Sequence, residues 1–475
     1  MTNHDLTNHD LTITITIMEL IGREKELITL EKFWSQEGYN LGVVYGRRRI
    51  GKSFLLKNFA ENKRSILFQA TTNQTNNLAE LASQVARLYG ASTNISYASY
   101  EAAFDDFAKL AKEEKLLVVI DEISFLEESN KDILSILQKY SDTVFQSTKL
   151  KMILCSSMES FLIQHVIGGR TPFFGRTSLR LKLTAIKPSF AKEFFPKWSL
   201  NDISQAYVIT AGIPYYMKRL SLYKTFQEAL KEEFFLLGGA LLTEPFLLLY
   251  AEVRNVDSFM LLMATIAQGT TKTSKLADKT GISVALCSSM LKKLTTLGFV
   301  KERKNSVIDS KTLGWTIEDN FFAFWFRFVY PAQGSIELDN AQPMLKKTIK
   351  ELDDFTGKRI EQTIREYVVS NSEKPIIEYG SAEFANSVEK QNEELDFIAK
   401  TSDNEVLFGE FKWKNKEVST PELEGLQRKS FLADPNTRNR EFYLCSKSGF
   451  SATLKNLAKE NKQIHLIEGS AIFGF

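Results

Sequence analysis

The segment that most constrains the fold is LGVVYGRRRIGKSFLLKNF, residues 41–59. An apolar run of strand length leads to Gly46 and, five residues later, to Gly51. Lys52 and Ser53 follow directly, and a helical pattern begins with them. The glycines let backbone N–H groups curl around phosphate oxygens, the lysine brings positive charge to the terminal phosphates, and the serine offers a hydroxyl to Mg²⁺. The segment therefore predicts a phosphate-binding loop, or P-loop, between a strand and a helix.

Three arginines occupy the variable positions of this loop, Arg47, Arg48 and Arg49. We expect their side chains to point away from the phosphates. Solvation is the prediction for these side chains, and contact with a neighbouring domain is the alternative.

Two acids directly follow the apolar strand candidate LLVVI. Asp121 can hold Mg²⁺ through water, and Glu122 can orient or deprotonate the water that attacks the terminal phosphate. Glu122 could be an ordinary surface carboxylate, but its position after Asp121 and five apolar residues favours the catalytic role. Ser156 and Ser157 end the next strand candidate, where a hydroxyl can sense the terminal phosphate or cap a helix. Together these residues predict Mg²⁺-dependent hydrolysis of the nucleotide.

Strand candidates alternate with helical segments through the first part of the chain, namely LGVVY, SILFQA, LLVVIDE and KMILCSS. This alternation predicts an α/β fold with a parallel sheet that carries helices on both faces. The length of 475 residues allows about three domains. We predict a tail at residues 1–17, a P-loop domain at 18–195 and a helical subdomain at 196–255. A winged-helix region with an aromatic joint follows at 256–335, and a small terminal α/β domain at 345–475. Met18 is a plausible alternative start.

The composition excludes several kinds of chemistry. Lys and Arg total 60 against 58 Asp and Glu, which argues against nucleic-acid binding through bulk basicity. The three cysteines lie far apart without CxxC spacing, which disfavours disulfides and zinc sites and fits a reducing cytoplasm. The most apolar stretch, from Phe234, is interrupted by Glu244 and Pro245, so it favours buried helices over a membrane span. The N-terminus lacks a basic region followed by an apolar one, and we expect a cytoplasmic protein.

Residues 256–318 show three short helical segments and then two strands around a polar loop, an order typical of a winged helix. In the third helix we predict a buried stripe formed by Val284, Leu291, Leu294 and Leu297. The largely exposed face consists of Ser288, Ser289, Lys292 and Lys293. Such a helix can enter a DNA major groove while basic residues of the wing contact phosphates. These wing residues are Lys301, Arg303 and Lys304. Winged helices also bind proteins, so a protein partner is the alternative to DNA.

The terminal domain contains the strand candidate VLFGEFKW, in which Glu410 and Lys412 face the same side because a strand alternates faces. Asp396 lies on the preceding strand candidate, and a hairpin would bring the three groups together. Glu361, on a leading helix, would be a fourth member. Carboxylates can hold Mg²⁺, and the lysine can position a metal-bound water or stabilise charge on a phosphate. The whole pattern predicts a metal-dependent nuclease site, whereas Glu-x-Lys alone has little specificity and favours a solvated strand.

Several segments occur in a recognisable order: IGREKELITLEKF, YGRRRIGKSFLL, VVIDEISFL, LCSSMESFL, PFFGRTSLRL, AGIPYYM and FFAFWFRFVYP. Together they resemble the archaeal-type ATPase family, AAA-like P-loop proteins related to the signal-transduction NTPases. The resemblance implies ATP as the nucleotide and a winged helix and nuclease-like module after the ATPase. It also implies that Arg176 contacts nucleotide phosphate and that Pro214 reports nucleotide state. The terminal domain, residues 345–475, is similar to the PD-(D/E)xK nucleases at Asp396, Glu410 and Lys412, with Glu361 as the helix acid.

The leading hypothesis is an ATPase that repositions a DNA-binding winged helix and a Mg²⁺-dependent nuclease-like module. The rival is a switch that regulates transcription or scaffolds partners without cleaving DNA, and a weaker alternative is a pure protein-interaction switch. A homo-oligomer is possible, in which Arg170 or Arg176 could act on a neighbouring nucleotide.

Overall fold

The computed structural model describes residues 20–90, 95–169, 171–304, 312–386 and 391–475. The predicted tail, Met18 and Arg170 lie outside them, as does the side chain of Lys304. The chain divides into two compact units. The first comprises the described part of Met1–Val43 together with Ser53–Leu154 and Thr177–Leu181, and the second comprises Val44–Lys52, the described part of Cys155–Arg176, and the described part of Lys182–Phe475.

A five-stranded sheet forms the centre of the N-terminal fold. Its strands are β1 (Asn40–Tyr45), β2 (Ser65–Gln69), β3 (Leu116–Asp121), β4 (Leu150–Ser156) and β5 (Leu179–Lys182), in the order β2-β3-β4-β1-β5. β3 pairs in parallel with both β2 and β4. Both β3 and β4 are buried along their whole length, as expected for central strands of a sheet with two covered faces. The predicted α/β fold with a parallel sheet is confirmed.

The helices around and after this sheet follow the predicted alternation. They are α1 (Glu24–Ser35), α2 (Lys52–Ala60), α3 (Gln74–Tyr89), α4 (Tyr100–Leu110), α5 (Ile123–Ser129), α6 (Ile133–Asp142), α7 (Glu159–Phe161), α8 (Ala191–Phe194), α9 (Leu200–Thr210) and α10 (Pro214–Leu220). β5 was not among the predicted strands, because its four residues are too short to show a period.

A helical region then leads into a strand pair. Its helices are α11 (Phe226–Phe234), α12 (Glu244–Tyr250), α13 (Val256–Ala267), α14 (Thr273–Thr280) and α15 (Val284–Thr296), and β6 (Val300–Lys304) pairs antiparallel with β7 (Thr312–Ile317). One prediction for α15 is wrong, because Val284 is 53% exposed. Val284 is the first helical residue, after the N-cap Ser283, and the buried stripe begins one turn later. The buried residues of α15 are Cys287, Met290, Leu291 and Leu294.

The aromatic run NFFAFWFRFVYP lies in the interior of the second unit. It begins with α16 (Asn320–Phe324) and ends before α17 (Gln333–Glu337). The ring of Phe321 stacks on that of Tyr216 with 4.2 Å between centroids. Trp325 is fully buried, and its indole N–H donates to the Leu242 carbonyl at 2.7 Å. The run is therefore a packed core and offers no stacking surface to nucleic-acid bases.

The C-terminal region contains a second sheet together with several helices. It contains α18 (Gln342–Asn371), β8 (Ile376–Asn386), β9 (Gln391–Thr401), β10 (Val406–Lys412), α19 (Thr420–Ala433), β11 (Arg440–Ser446), α20 (Ala452–Glu460), β12 (Ile464–Glu468) and α21 (Gly469–Ile472). The sheet order is β12-β11-β10-β9-β8. β9 and β10 form an antiparallel hairpin, whereas β10, β11 and β12 are parallel.

We expect Trp325→Ala to lower the free energy of unfolding by about 3 to 5 kcal/mol, because it leaves a large cavity and an unpaired carbonyl at Leu242. Urea denaturation followed by circular dichroism measures the loss. Leu338→Ala is the control, since Leu338 is 82% exposed and its truncation should change stability by less than about 0.5 kcal/mol. Equal effects of the two substitutions would contradict the assignment of Trp325 to the core.

Candidate functional site

The P-loop adopts a conformation that two of its glycines make possible. Gly46 has φ = 148° and Gly51 has φ = 93°. A Cβ atom on Gly46 would lie 2.5 Å from the Leu183 carbonyl oxygen, so no side chain fits there without a shift of the backbone. Lys52 is 5% exposed. Its Nζ donates to the carbonyls of Gly46 at 2.9 Å and Arg47 at 3.1 Å, which hold the ammonium inside the loop.

A hydroxyl and a carboxylate meet directly after the loop. The Ser53 hydroxyl donates to Asp121 Oδ2 at 2.5 Å, and Asp121 Oδ1 accepts the backbone N–H of Glu122 at 3.0 Å. Glu122 has φ = 55° and forms the N-cap of α5. The oxygens of Ser53 and Asp121 are hard donors of the kind that Mg²⁺ prefers, and they are adjacent. These residues therefore fit the predicted Mg²⁺ ion.

The two serines at the end of β4 have different partners. Ser156 is fully buried, and its hydroxyl accepts the backbone N–H of Met158 at 3.0 Å. The Ser157 hydroxyl instead accepts a hydrogen bond from Lys52 Nζ at 2.9 Å. Of the two candidates, Ser157 is therefore the one that contacts the P-loop lysine.

Pro214 and Arg176, the two site residues implied by the family resemblance, have different surroundings. Pro214 is the first residue of α10, and its Cγ lies 3.9 Å from the position of a Cβ on Gly51. Pro214 therefore borders the P-loop. Arg176 is exposed, and its guanidinium donates to the Pro172 carbonyl at 3.0 Å.

The prediction that the three P-loop arginines are simply solvated is wrong. Each forms an ion pair within the second unit: Arg47 with Asp319, Arg48 with Glu252 at 3.9 Å, and Arg49 with Glu244 at 2.9 Å. Glu244 is 2% exposed and Asp319 is 7% exposed. Buried carboxylates are costly without a cationic partner, so these acids require the arginines. The sequence showed no sign of this pairing because the partners are far apart along the chain.

Two ranges of the chain match models of known protein families. Residues 20–220 fit a family model described as an ATPase domain predominantly from Archaea. Residues 325–423 fit a second model, described as archaeal and bacterial proteins of unknown function. The first matched range contains the P-loop, the Asp121-Glu122 pair and Pro214.

Three known proteins are similar to this chain. An uncharacterized protein of Methanocaldococcus jannaschii is 27% identical over 400 residues, which cover 83% of this chain and 88% of that protein. An uncharacterized ATP-binding protein of the same organism is 46% identical over 48 residues, 10% of this chain and 81% of the relative. Among solved structures, the Walker-type ATPase of Pyrococcus abyssi has a TM-score of 0.52 at 21% identity. The match covers 65% of this chain and 96% of that protein. The structural likeness shows a shared fold.

The predicted DNA-binding residues fall into two groups. Lys292 and Lys293 are exposed on α15. Two residues of the predicted wing are already paired with carboxylates, Lys301 with Glu318 at 2.5 Å and Arg303 with Glu383. The wing cations therefore have to exchange partners before they can contact a phosphate.

The predicted nuclease residues lie together in the C-terminal sheet. The hairpin register pairs Gly409 with Phe397, so Glu410 and Asp396 follow on neighbouring strands. Glu410 Oε1 accepts from Lys412 Nζ at 2.5 Å. Asp396 Oδ2 accepts the backbone N–H of Phe411 at 2.7 Å. The structure thus brings the three side chains of the predicted motif to one place.

Two further residues complete this cluster, and sequence reasoning missed both. Lys429, on α19, donates to Glu410 Oε2 at 2.9 Å. Arg365, on α18, lies 3.6 Å from Glu361 and donates to the Asp396 carbonyl at 2.7 Å. Arg365 stands one helical turn after Glu361, a spacing that could have revealed it, whereas Lys429 gave no signal.

Burial and mutual repulsion perturb the acids of the cluster. Burial and the nearby Glu410 raise the pKa of Asp396 to about 6. Burial and the nearby Asp396 raise the pKa of Glu361 to about 8. Burial lowers the pKa of Lys412, but Glu410 overrides this effect and the net shift is upward. The crowded carboxylates suit a cation chemically, but the lysines hold both oxygens of Glu410.

The described parts of the chain set two further limits, the first of which also covers the C-terminal cluster. They contain no group of three or more His, Cys, Asp or Glu side chains placed to hold a metal ion. In the same residues, no helix combines the length and apolarity that crossing a membrane requires.

We expect the C-terminal region to lose stability as the pH rises, because Glu361 keeps its proton in the folded state. Its pKa is about 8 in the fold against 4.5 for an unperturbed glutamate, so the free energy of unfolding should fall as the pH rises between these values. Glu361→Gln should flatten this fall in hydrogen exchange of β9 and β10 measured across the pH range. Glu366→Gln, an exposed change on the same helix, should leave it intact. An unchanged pH profile in Glu361→Gln would refute the assignment.

Proposed function

We propose that the chain hydrolyses ATP with Mg²⁺ and uses the nucleotide state to control a DNA-binding winged helix and a nuclease-like C-terminal domain. The observation that carries the proposal is the hydrogen bond from Ser53 to Asp121, with Glu122 next to it in the chain. A hydroxyl, a metal-binding carboxylate and a second carboxylate in that order are what nucleotide hydrolysis requires.

Each residue has a defined task in this proposal. Lys52 exchanges the carbonyls of Gly46 and Arg47 for the terminal phosphate oxygens, which carry more negative charge. The ion held by Ser53 and Asp121 neutralises charge on the phosphates. Glu122 accepts a proton from the attacking water, and Ser157, already bonded to Lys52, contacts the terminal phosphate.

Pro214 and Arg176 take their roles from the family resemblance. The position of Pro214 beside Gly51 supports its role, because a shift of the loop would reach α10 directly. Arg176 is exposed and anchored to Pro172, which suits a contact with phosphate after local rearrangement.

Lys52→Ala should abolish both ATP binding and hydrolysis, whereas Glu122→Gln should bind ATP but turn it over at least about a hundredfold more slowly. Nucleotide binding by fluorescence titration and phosphate release in Mg²⁺ separate the two effects. Glu128→Gln, an exposed change on α5, is the control and should behave as wild type. Absence of ATP binding by the wild-type protein would overturn the proposal.

The second proposed activity is Mg²⁺-dependent cleavage of a DNA phosphodiester at the C-terminal cluster. The proximity of Asp396, Glu410 and Lys412 supports it, because two carboxylates can hold a metal ion and the lysine can stabilise charge on the phosphate. Glu361 can join the metal site once it loses its proton. The alternative is recognition without cleavage, in which the chain acts as a nucleotide-controlled regulator or scaffold. The two lysines that hold Glu410 favour neither reading.

Asp396→Asn and Lys412→Ala should each abolish metal-dependent cutting of plasmid or linear DNA, because each removes a group required at the reacting phosphate. Agarose electrophoresis with Mg²⁺ or Mn²⁺, with and without ATP, measures cutting. Lys455→Ala is the control, since Lys455 forms a half-exposed pair with Glu468 elsewhere in the same domain. Failure of the wild type to cut under every metal and nucleotide condition would support the non-cleaving alternative.

A further inference from the structure

Asp319 uses its two carboxylate oxygens for two different elements. Oδ1 accepts the backbone N–H of Phe322 at 3.0 Å and so caps α16. Oδ2 accepts from the guanidinium of Arg47, which lies 272 residues earlier in the P-loop. A single buried carboxylate therefore joins the phosphate-binding loop to the start of the aromatic core.

The environment of Arg47 makes this ion pair decisive for the position of its side chain. The guanidinium lies 5.8 Å from the ring of Phe299 and 6.0 Å from that of Phe322. Its Nε and Nη2 are buried and have no hydrogen-bond partner among the described residues. Asp319 is thus the acceptor that holds the guanidinium beside these two stacked rings, and its loss would leave a partly buried cation, 27% exposed, without this anion.

The main chain of Arg47 connects the same residue to the phosphate-binding lysine. The Arg47 carbonyl accepts from Lys52 Nζ at 3.1 Å, and the Gly46 carbonyl and Ser157 hydroxyl share that ammonium. When Lys52 turns to a phosphate, the Arg47 peptide loses this donor. The Arg47 carbonyl then keeps a longer hydrogen bond from the Ile50 N–H at 3.4 Å, and the ion pair with Asp319 adds the stronger restraint on Arg47.

We propose that Asp319 is a positioning residue for ATP binding, which acts through Arg47 to hold the P-loop in a conformation ready for phosphate and transmits loop occupancy to α16. The inference rests on the proposed ATP hydrolysis. Without the restraint the loop samples more conformations, and ATP has to order them on binding. The KM for ATP therefore rises, while kcat changes little because Asp121 and Glu122 lie in a separate segment.

Asp319→Asn separates the two roles of the carboxylate, because asparagine is as good a helix N-cap as aspartate but carries no charge. We expect Asp319→Asn and Arg47→Ala each to raise the KM for ATP about five- to tenfold, and the double variant to be no worse than either single one. Glu252→Gln is the matched control: it neutralises the acid beside Arg48, a pair of 3.9 Å, and should leave KM and kcat unchanged.

Hydrogen exchange supplies a readout that a merely structural role would not move. In the wild type a non-hydrolysable ATP analogue should change the exchange of residues 320–324, and this response should disappear in Arg47→Ala and in Asp319→Asn. Arg47→Ala carries the test if Asp319→Asn does not fold. Additive effects on KM, or a persistent response of α16 to nucleotide, would overturn the inference. Failure of the ATPase proposal is distinguishable, since the wild type would then neither bind nor hydrolyse ATP.

Discussion

The buried ammonium of Lys52 is the constraint on which the ATP-binding segment depends. A cation that is 5% exposed must be compensated, and two carbonyls and one hydroxyl do so. The loop can direct these carbonyls inward because Gly46 and Gly51 adopt positive φ values. These carbonyls are weaker hydrogen-bond acceptors than a phosphate. They can hold the Lys52 ammonium when no nucleotide is bound, but a phosphate would hold it more strongly. Loop conformation and ligand exchange are thus two consequences of one buried charge.

Buried carboxylates impose the complementary constraint on the helical region. Glu244, Asp319 and Glu233 are at most 7% exposed, and arginines satisfy all three. Two of those arginines belong to the P-loop and the third, Arg219, to α10. Since leaving one partner unpaired costs several kcal/mol, roughly 3 to 5 in measured cases, neither the loop nor these helices can move far alone. Electrostatics therefore ties the loop to these helices, and the aromatic core gives them rigidity.

Local pattern predicted what local structure decides. The P-loop, the acids after β3 and the hairpin of β9 with β10 follow from residue spacing, because strand alternation and glycine conformations act over a few residues. Partners chosen by tertiary packing could not be predicted in this way. Arg49 and Glu244 are 195 residues apart, and the pairing depends on a burial that no short window shows. Val284 failed for a similar reason, since helical periodicity does not reveal where the packed stripe begins.

The C-terminal cluster differs from the P-loop in how its charges are balanced. Glu410 holds two lysines at once, Lys412 through one oxygen and Lys429 through the other. In the proposed nuclease activity, a divalent cation would compete with these lysines for Glu410, and a phosphate group is an anion that would draw a lysine away. Exchange of Lys412 or Lys429 from Glu410 to a phosphate oxygen is therefore a step that the proposed nuclease activity requires.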